Sequence, residues 1–174
     1  VIEFNIPWTD PGEWTEIHQN FDFLIEKHAQ DMDTAREAAM AVQIRLESLF
    51  PLMDDLCHQT CASCAEPCCR VAKLWYNFQD LLFLHLIGRA PPESQPLETY
   101  ESHCRYLMAS GCSLPRIIRP WICTWYICHP QTAALRRRGR AARANVEKTI
   151  NEIKQGRKNM EDAFIHATWK DVLP

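Results

Sequence analysis

The chain has 174 residues, enough for one domain that buries roughly two-thirds of its unfolded surface and too few for a second core. Its 47% hydrophobic and 24% charged content is that of a water-soluble globular protein, and the formal charge of -3 argues against a general affinity for nucleic acid or anionic membrane. No run reaches about 18 apolar residues without a charge, so no membrane-spanning helix is expected. The opening Val1 to Pro7 has neither the basic nor the apolar region of a signal peptide, although trimming before Val1 stays open.

In chain order, Asp10-Pro11-Gly12-Glu13 predicts a helix start, with Asp10 as cap and Pro11 in the first turn. Trp14, Ile17, Phe21, Leu24, Ile25 and His28 then repeat at helical spacing. A second helical stretch covers Thr34 to Phe50, with Ala35, Ala39, Val42, Leu46 and Leu49 on one side, and Pro51 is expected to interrupt it. Residues 30–33 are compatible with a break or with one continuous helix. Asp22, Glu26, Asp31, Asp33 and Glu37 suggest a carboxylate metal site, but a solvated helix face is the better reading.

Leu52 to Leu56 reads as a last turn before a cysteine loop. Val71 to Ile87 is apolar and aromatic, predicts the most buried helix, and ends at Gly88. His85 within it reads as a hydrogen-bonded core residue. Residues 89–96 form a proline-rich loop, 97–110 suggest a helical turn, and 112–130 suggest loop with short turns. A long amphipathic helix is expected from Thr132 to about Ala163, weakened at Gly139 and Gly156, with Phe164, Ile165 and Trp169 capping the bundle. No strand alternation is evident. The expected fold is all-α, a bundle of four to five helices with a cysteine-rich metal-binding loop region on one side. It forms one domain over residues 1–174, whose cysteine-rich part is 57–130.

The cysteines carry the chemistry. Cys57, Cys61, Cys64, Cys68 and Cys69 fall within one short segment, and Cys104, Cys112, Cys123 and Cys128 follow later. A buried cysteine packs as a small apolar side chain and has no reason to recur at this density. A close cluster plus later thiols suits two distant segments closing on a metal ion or an iron–sulfur cluster. The odd count and the vicinal pair weaken a disulfide framework, so free thiolates in a reducing cytoplasm are expected. Zn2+, iron and an iron–sulfur centre are all compatible cofactors.

Cys57-x3-Cys61-x2-Cys64 also matches the spacing by which radical S-adenosylmethionine enzymes hold a cluster, but the chain lacks the repeated strands of their barrels. Arg70, Lys73, Arg105, Arg116 and Arg119 flank the cysteines and suit the role of cations offsetting thiolate charge. His58, His103 and His129 adjoin cysteines and are weaker ligand candidates.

Cys61-x2-Cys64-x3-Cys68-Cys69-Arg70, Cys104-Arg105-Tyr106-Leu107, Gly111-Cys112-Ser113-Leu114 and Arg119-Pro120-Trp121-Ile122-Cys123 together resemble the YkgJ-like zinc- or iron-chelating family named for its CxxCxxCC motif. Here three residues, Ala65-Glu66-Pro67, precede the cysteine pair where that family has two. The resemblance implies a metal or iron–sulfur site on a helical scaffold, with Arg119 and Arg70 as outer supports. A flagellin lysine methylase carries a similar motif, which by family association keeps open an iron–sulfur redox or methyl-transfer enzyme component.

Metal delivery is the third expectation. No nucleophile triad, Gly-rich phosphate loop or His-Glu-x-x-His helix is present. The basic run from Arg136 to Arg143 reads as a solvated helix face rather than a nucleic-acid surface. The expected partner is therefore the metal ion.

Overall fold

The computed structural model describes residues 5–61, 63–109 and 111–169. Helix α1 (Pro11–Lys27) starts where its cap requires: Asp10 Oδ1 accepts from the N–H groups of Gly12 and Glu13 at 2.8 and 3.1 Å. A turn at 28–32 separates it from α2 (Asp33–Thr60), so the acidic stretch is a true break. Glu26, Asp31, Asp33 and Glu37 are exposed, as a solvated face requires.

Pro51 does not interrupt α2. A proline inside a helix costs about 3 kcal/mol, but Pro51 faces solvent while Met53 and Leu56 continue the buried stripe beyond it. Fully burying side chains of that size contributes about 1.5–3 kcal/mol each, which outweighs the lost hydrogen bond.

The expected helix over 71–87 is shorter than its apolar content suggests. A single turn, α3 (Cys68–Val71), is followed by extended chain, and α4 (Phe78–Leu86) begins only at Asn77. Two contacts explain this. Gln95, 1% exposed, accepts from Tyr76 N–H at 2.8 Å and donates to Tyr76 O at 3.1 Å, holding that residue out of a helix. Asn77 and Asp80 then exchange side-chain-to-backbone bonds as a capping box.

Residues 97–109 are not helical either. Ser102 Oγ accepts from Glu98 and Thr99 N–H and fixes a turn. A minimal hairpin follows, β1 (Leu107–Met108) against β2 (Gly111–Cys112), with Leu107 opposite Cys112. Ser110 lies outside the described residues. A 3-10 turn at Arg116–Ile118 leads into α5 (Trp121–Trp125), then α6 (His129–Arg137) and α7 (Arg140–Thr168). The long C-terminal helix is thus split at Gly139, whose φ of +95° favours glycine, and it starts earlier and ends later than its periodicity suggests.

Among the described residues α1, α2, α4, α6 and α7 form the helical bundle, and α3 and α5 are single turns beside it. α2 packs along α7 more extensively than any other pair meets. Phe21, Phe78 and Phe164 join α1, α4 and α7, with centroids 5.2 to 6.0 Å apart. Phe164 is therefore core, whereas Ile165 and Trp169, expected to cap the bundle, are 42% and 52% exposed; residues 170–174 lie outside the described set. Arg136, Arg137 and Arg140 are exposed, Arg138 pairs with Asp55, and Arg143 with Glu147. Among the described residues no helix is long and apolar enough to cross a membrane.

His85 is hydrogen-bonded on both nitrogens. Asp22 Oδ1 lies 2.7 Å from Nδ1, and His18 Nδ1 lies 2.7 Å from Nε2. The carboxylate only accepts, so His85 Nδ1 donates to it and, with the ring neutral, Nε2 accepts from His18. That leaves His18 Nε2 buried and unpartnered among the described residues. Burial, then the neighbouring His85, lower the His18 pKa to about 4.

Two predictions follow from the packing. Between pH 6.5 and about 4 the unfolded chain binds a proton at residue 18 that the folded chain refuses. Stability must therefore fall as pH falls through that window, and His18→Gln must flatten the slope in urea titrations at stepped pH. Second, a Cβ on Gly156 would meet Val42 Cγ2 at 2.7 Å, where α7 crosses α2. Overpacking costs about 1–3 kcal/mol against a helix-propensity gain of about 1 kcal/mol. Gly156→Ala is expected to lower Tm by about 2–4 °C per kcal/mol of net loss, read by thermal unfolding.

Candidate metal centre

The last turns of α2 place Cys57 and Cys61 one helical turn apart, with Cys61 N–H bonding Cys57 O at 2.8 Å. Gln131, 5% exposed in the first turn of α6, faces them. Its Nε2 donates toward Cys57 Sγ at 3.5 Å and Cys61 Sγ at 3.9 Å, and its Oε1 accepts from Cys128 N–H at 3.2 Å. One amide thus connects the two thiols at the end of α2 to the residue that precedes α6. Burial first, then Cys57, push the Cys61 thiol up to about 11, and Cys128 adds to the rise. Arg116, paired with Asp54, brings Nη2 to 3.8 Å from Cys57 Sγ.

Cys64 is exposed in the turn after Cys61, its N–H on Cys61 O at 3.2 Å. Cys68 and Cys69 open α3, and both are half-buried. Their surroundings differ. After burial, the groups that raise the Cys68 thiol are Cys128, Cys69 and Cys64. For Cys69 they are Cys104 and Cys112, opposed by the Arg119 guanidinium.

Cys104 sits in the turn before β1, where Leu107 N–H bonds its carbonyl at 3.1 Å, and Cys112 is in β2 opposite Leu107. His103 Nδ1 lies 2.7 Å from Arg70 O, so its N–H ties this turn to the end of α3. Cys123 is in α5. Burial, then Cys69, Cys104 and Cys112, drive its thiol far above the ordinary range. Burial also raises Cys104, with Cys112 adding to it. Cys69, Cys104 and Cys123 are thus each raised in part by neighbouring thiols, Cys112 among them, although these residues come from three separate elements and a turn.

All nine cysteines are free thiols. Among the described residues no three Cys, His, Asp or Glu side chains stand close enough to hold a metal ion as they are placed. Cys61, Cys68, Cys69, Cys104 and Cys123 are raised first by burial and then by neighbouring thiols, because two thiolates held close would repel; a cation beside them would favour the ionised form instead.

Of the flanking cations, Arg119 bears on Cys69 while its Nε donates to Leu114 O at 2.9 Å. Arg70 is exposed and contributes its carbonyl to His103. His58 and His129 are exposed. Sequence reasoning missed Gln131; the signal was Cys128-x2-Gln131, a cap and third-position pair with Pro130 between them.

Position of α5 depends on a buried ion pair. Arg157 Nη2 reaches Asp80 Oδ1 at 2.8 Å, with the two side chains 4% and 5% exposed. The same Oδ1 accepts from Trp121 N–H, the first residue of α5, at 3.0 Å. No family model matches this chain, and neither curated proteins nor solved structures give a match.

Removing one partner of a buried pair costs about 3–5 kcal/mol. Arg157→Met is expected to lose that much in urea unfolding. Adding Asp80→Asn must recover part of it, because the neutral amide oxygen still accepts from Trp121.

Proposed function

We propose that this chain is a metal-binding protein of the YkgJ-like zinc- or iron-chelating kind, holding Zn2+ or an iron or iron–sulfur centre on cysteine thiolates. The observation that carries the reading is the mutual grouping of Cys69, Cys104, Cys112 and Cys123. Segments as far apart in sequence as α3 and α5 bring thiols near enough to disfavour one another's ionisation, a preference that a bound cation would reverse. Four cysteine sulfurs are the full ligand set of a structural zinc site, and also of common iron–sulfur clusters.

These four residues would hold the centre, with Arg119 offsetting excess negative charge beside Cys69. Bound zinc would supply a cross-link between α3, the hairpin and α5; a bound cluster would supply one-electron chemistry. Such thiols persist in a reducing compartment, which supports reading the protein as cytoplasmic.

Elemental analysis of anaerobically purified protein, read beside its visible spectrum, tests this. Zinc without colour supports the structural or delivery role, and a brown sample with iron and acid-labile sulfide supports the redox role. Cys123→Ser and Cys112→Ser are each expected to lose metal. Full metal content in both variants, or none in the wild-type chain, refutes the assignment.

A further inference from the structure

We infer that His18 and His85 form an acid-sensitive latch: a proton added to the pair releases α1 from α4 and uncovers the aromatic surface of Phe78 and Phe164. The latch is separate from the cysteines and acts on one segment rather than on the whole fold.

Trp14, His18 and Phe21 recur at helical spacing, so the face by which α1 packs carries a titratable ring between its two buried side chains. Trp14 stands edge-on to His18 with centroids 4.6 Å apart, and Phe21 stacks on His85 at 5.1 Å. The His85 side chain is 5% exposed, and its Nε2 lies 2.7 Å from His18 Nδ1. The two rings are thus part of the α1–α4 contact itself.

Only one placement of hydrogens satisfies the pair. His85 donates to Asp22 and accepts from His18, which leaves a lone pair at the buried His18 Nε2. A proton added at that atom becomes a charged N–H with no acceptor among the described residues. A proton added at His85 Nε2 sets two N–H groups face to face, unless His18 moves its own hydrogen to Nε2. Either way a buried donor is left unsatisfied, which costs more than the lost bond itself.

The surroundings offer little to offset the added charge. Among the titratable groups, His85 on α4 opposes a proton on His18, and Asp22 on α1 favours one. The Asp22 side chain is 74% exposed, so water screens it. Trp14 spends its N–H on Pro92 O, and α7 approaches with the apolar Phe164, packed on Phe21. Burial accordingly holds the His18 pKa at about 4.

Opening α1 returns both rings to water, and α1 is the bundle helix with the fewest buried side chains. It buries two, against seven each in α2 and α7, and the turn at 28–32 joins it to α2. Local opening follows such differences in burial. Phe78 and Phe164 both pack against Phe21 and lose that cover when α1 leaves.

Hydrogen exchange of the full-length chain, read by mass spectrometry between about pH 7 and 4 and corrected for intrinsic rates, tests the latch. Amides of α1 are expected to lose up to about tenfold protection per pH unit below the ordinary histidine value of 6.5, while α2 and α7 keep theirs. His18→Gln takes up no proton at this position and should hold α1 protection constant over the same range. Equal loss of protection in α1, α2 and α7 of the wild-type chain overturns the latch, as does constant protection in its α1. Opening of α1 in His18→Gln at the wild-type pH overturns it too. If that variant fails to fold, the wild-type profile alone decides whether α1 opens ahead of the frame.

Discussion

The buried ion pair between Asp80 and Arg157 is the constraint through which the helical frame reaches the cysteine-rich side. Taking two charges out of water costs several kcal/mol per ion. Here the cost is met by hydrogen bonds as well as by attraction: Asp80 accepts from Arg157, from Trp121 N–H and from Asn77 N–H. Burial alone would weaken the proton affinity of Arg157, and the Asp80 carboxylate opposes that. What the pair supplies is placement. It joins α4, α7 and the first residue of α5, and α5 carries Cys123.

A division of labour runs through the molecule. The long helices bury one continuous core, from Trp14 and Phe21 in α1 to Met160 and Phe164 in α7. The short cysteine-bearing helices α3 and α5 are not stable alone, since a helix of one turn does not repay its nucleation. They are held at a few points by polar side chains rooted in or against the bundle. Gln95 fixes the chain at Tyr76, Tyr76 Oη donates to Ile118 O at 2.5 Å, Gln131 joins α6 to the end of α2, and His103 joins the hairpin turn to α3. The protein's own hydrogen bonds thereby hold the cysteine-bearing segments in place.

Much of the frame was legible in the residues. Asp10-Pro11 marks the start of α1, and the run Ala35, Ala39, Val42, Leu46, Leu49 marks the buried face of α2. Both signals are local, acting within one or two turns. The errors arose where a distant partner prevailed over a local preference. Pro51 was outvoted by core burial beyond it, and the apolar stretch at 72–77 was held extended by Gln95. Gly156 looked like a weak point in α7, yet its missing side chain is what lets Val42 approach.

The sequence by itself determined an all-α protein with clustered thiols, because helical periodicity, caps and cysteine density are properties of neighbouring residues. It did not determine how those thiols are grouped. Where the cysteine-bearing segments lie depends on where α5 and α6 dock and on Gln131 contacting sulfurs 70 and 74 residues away. Contacts across such separations exist only once the bundle has closed, so only the tertiary structure could decide them.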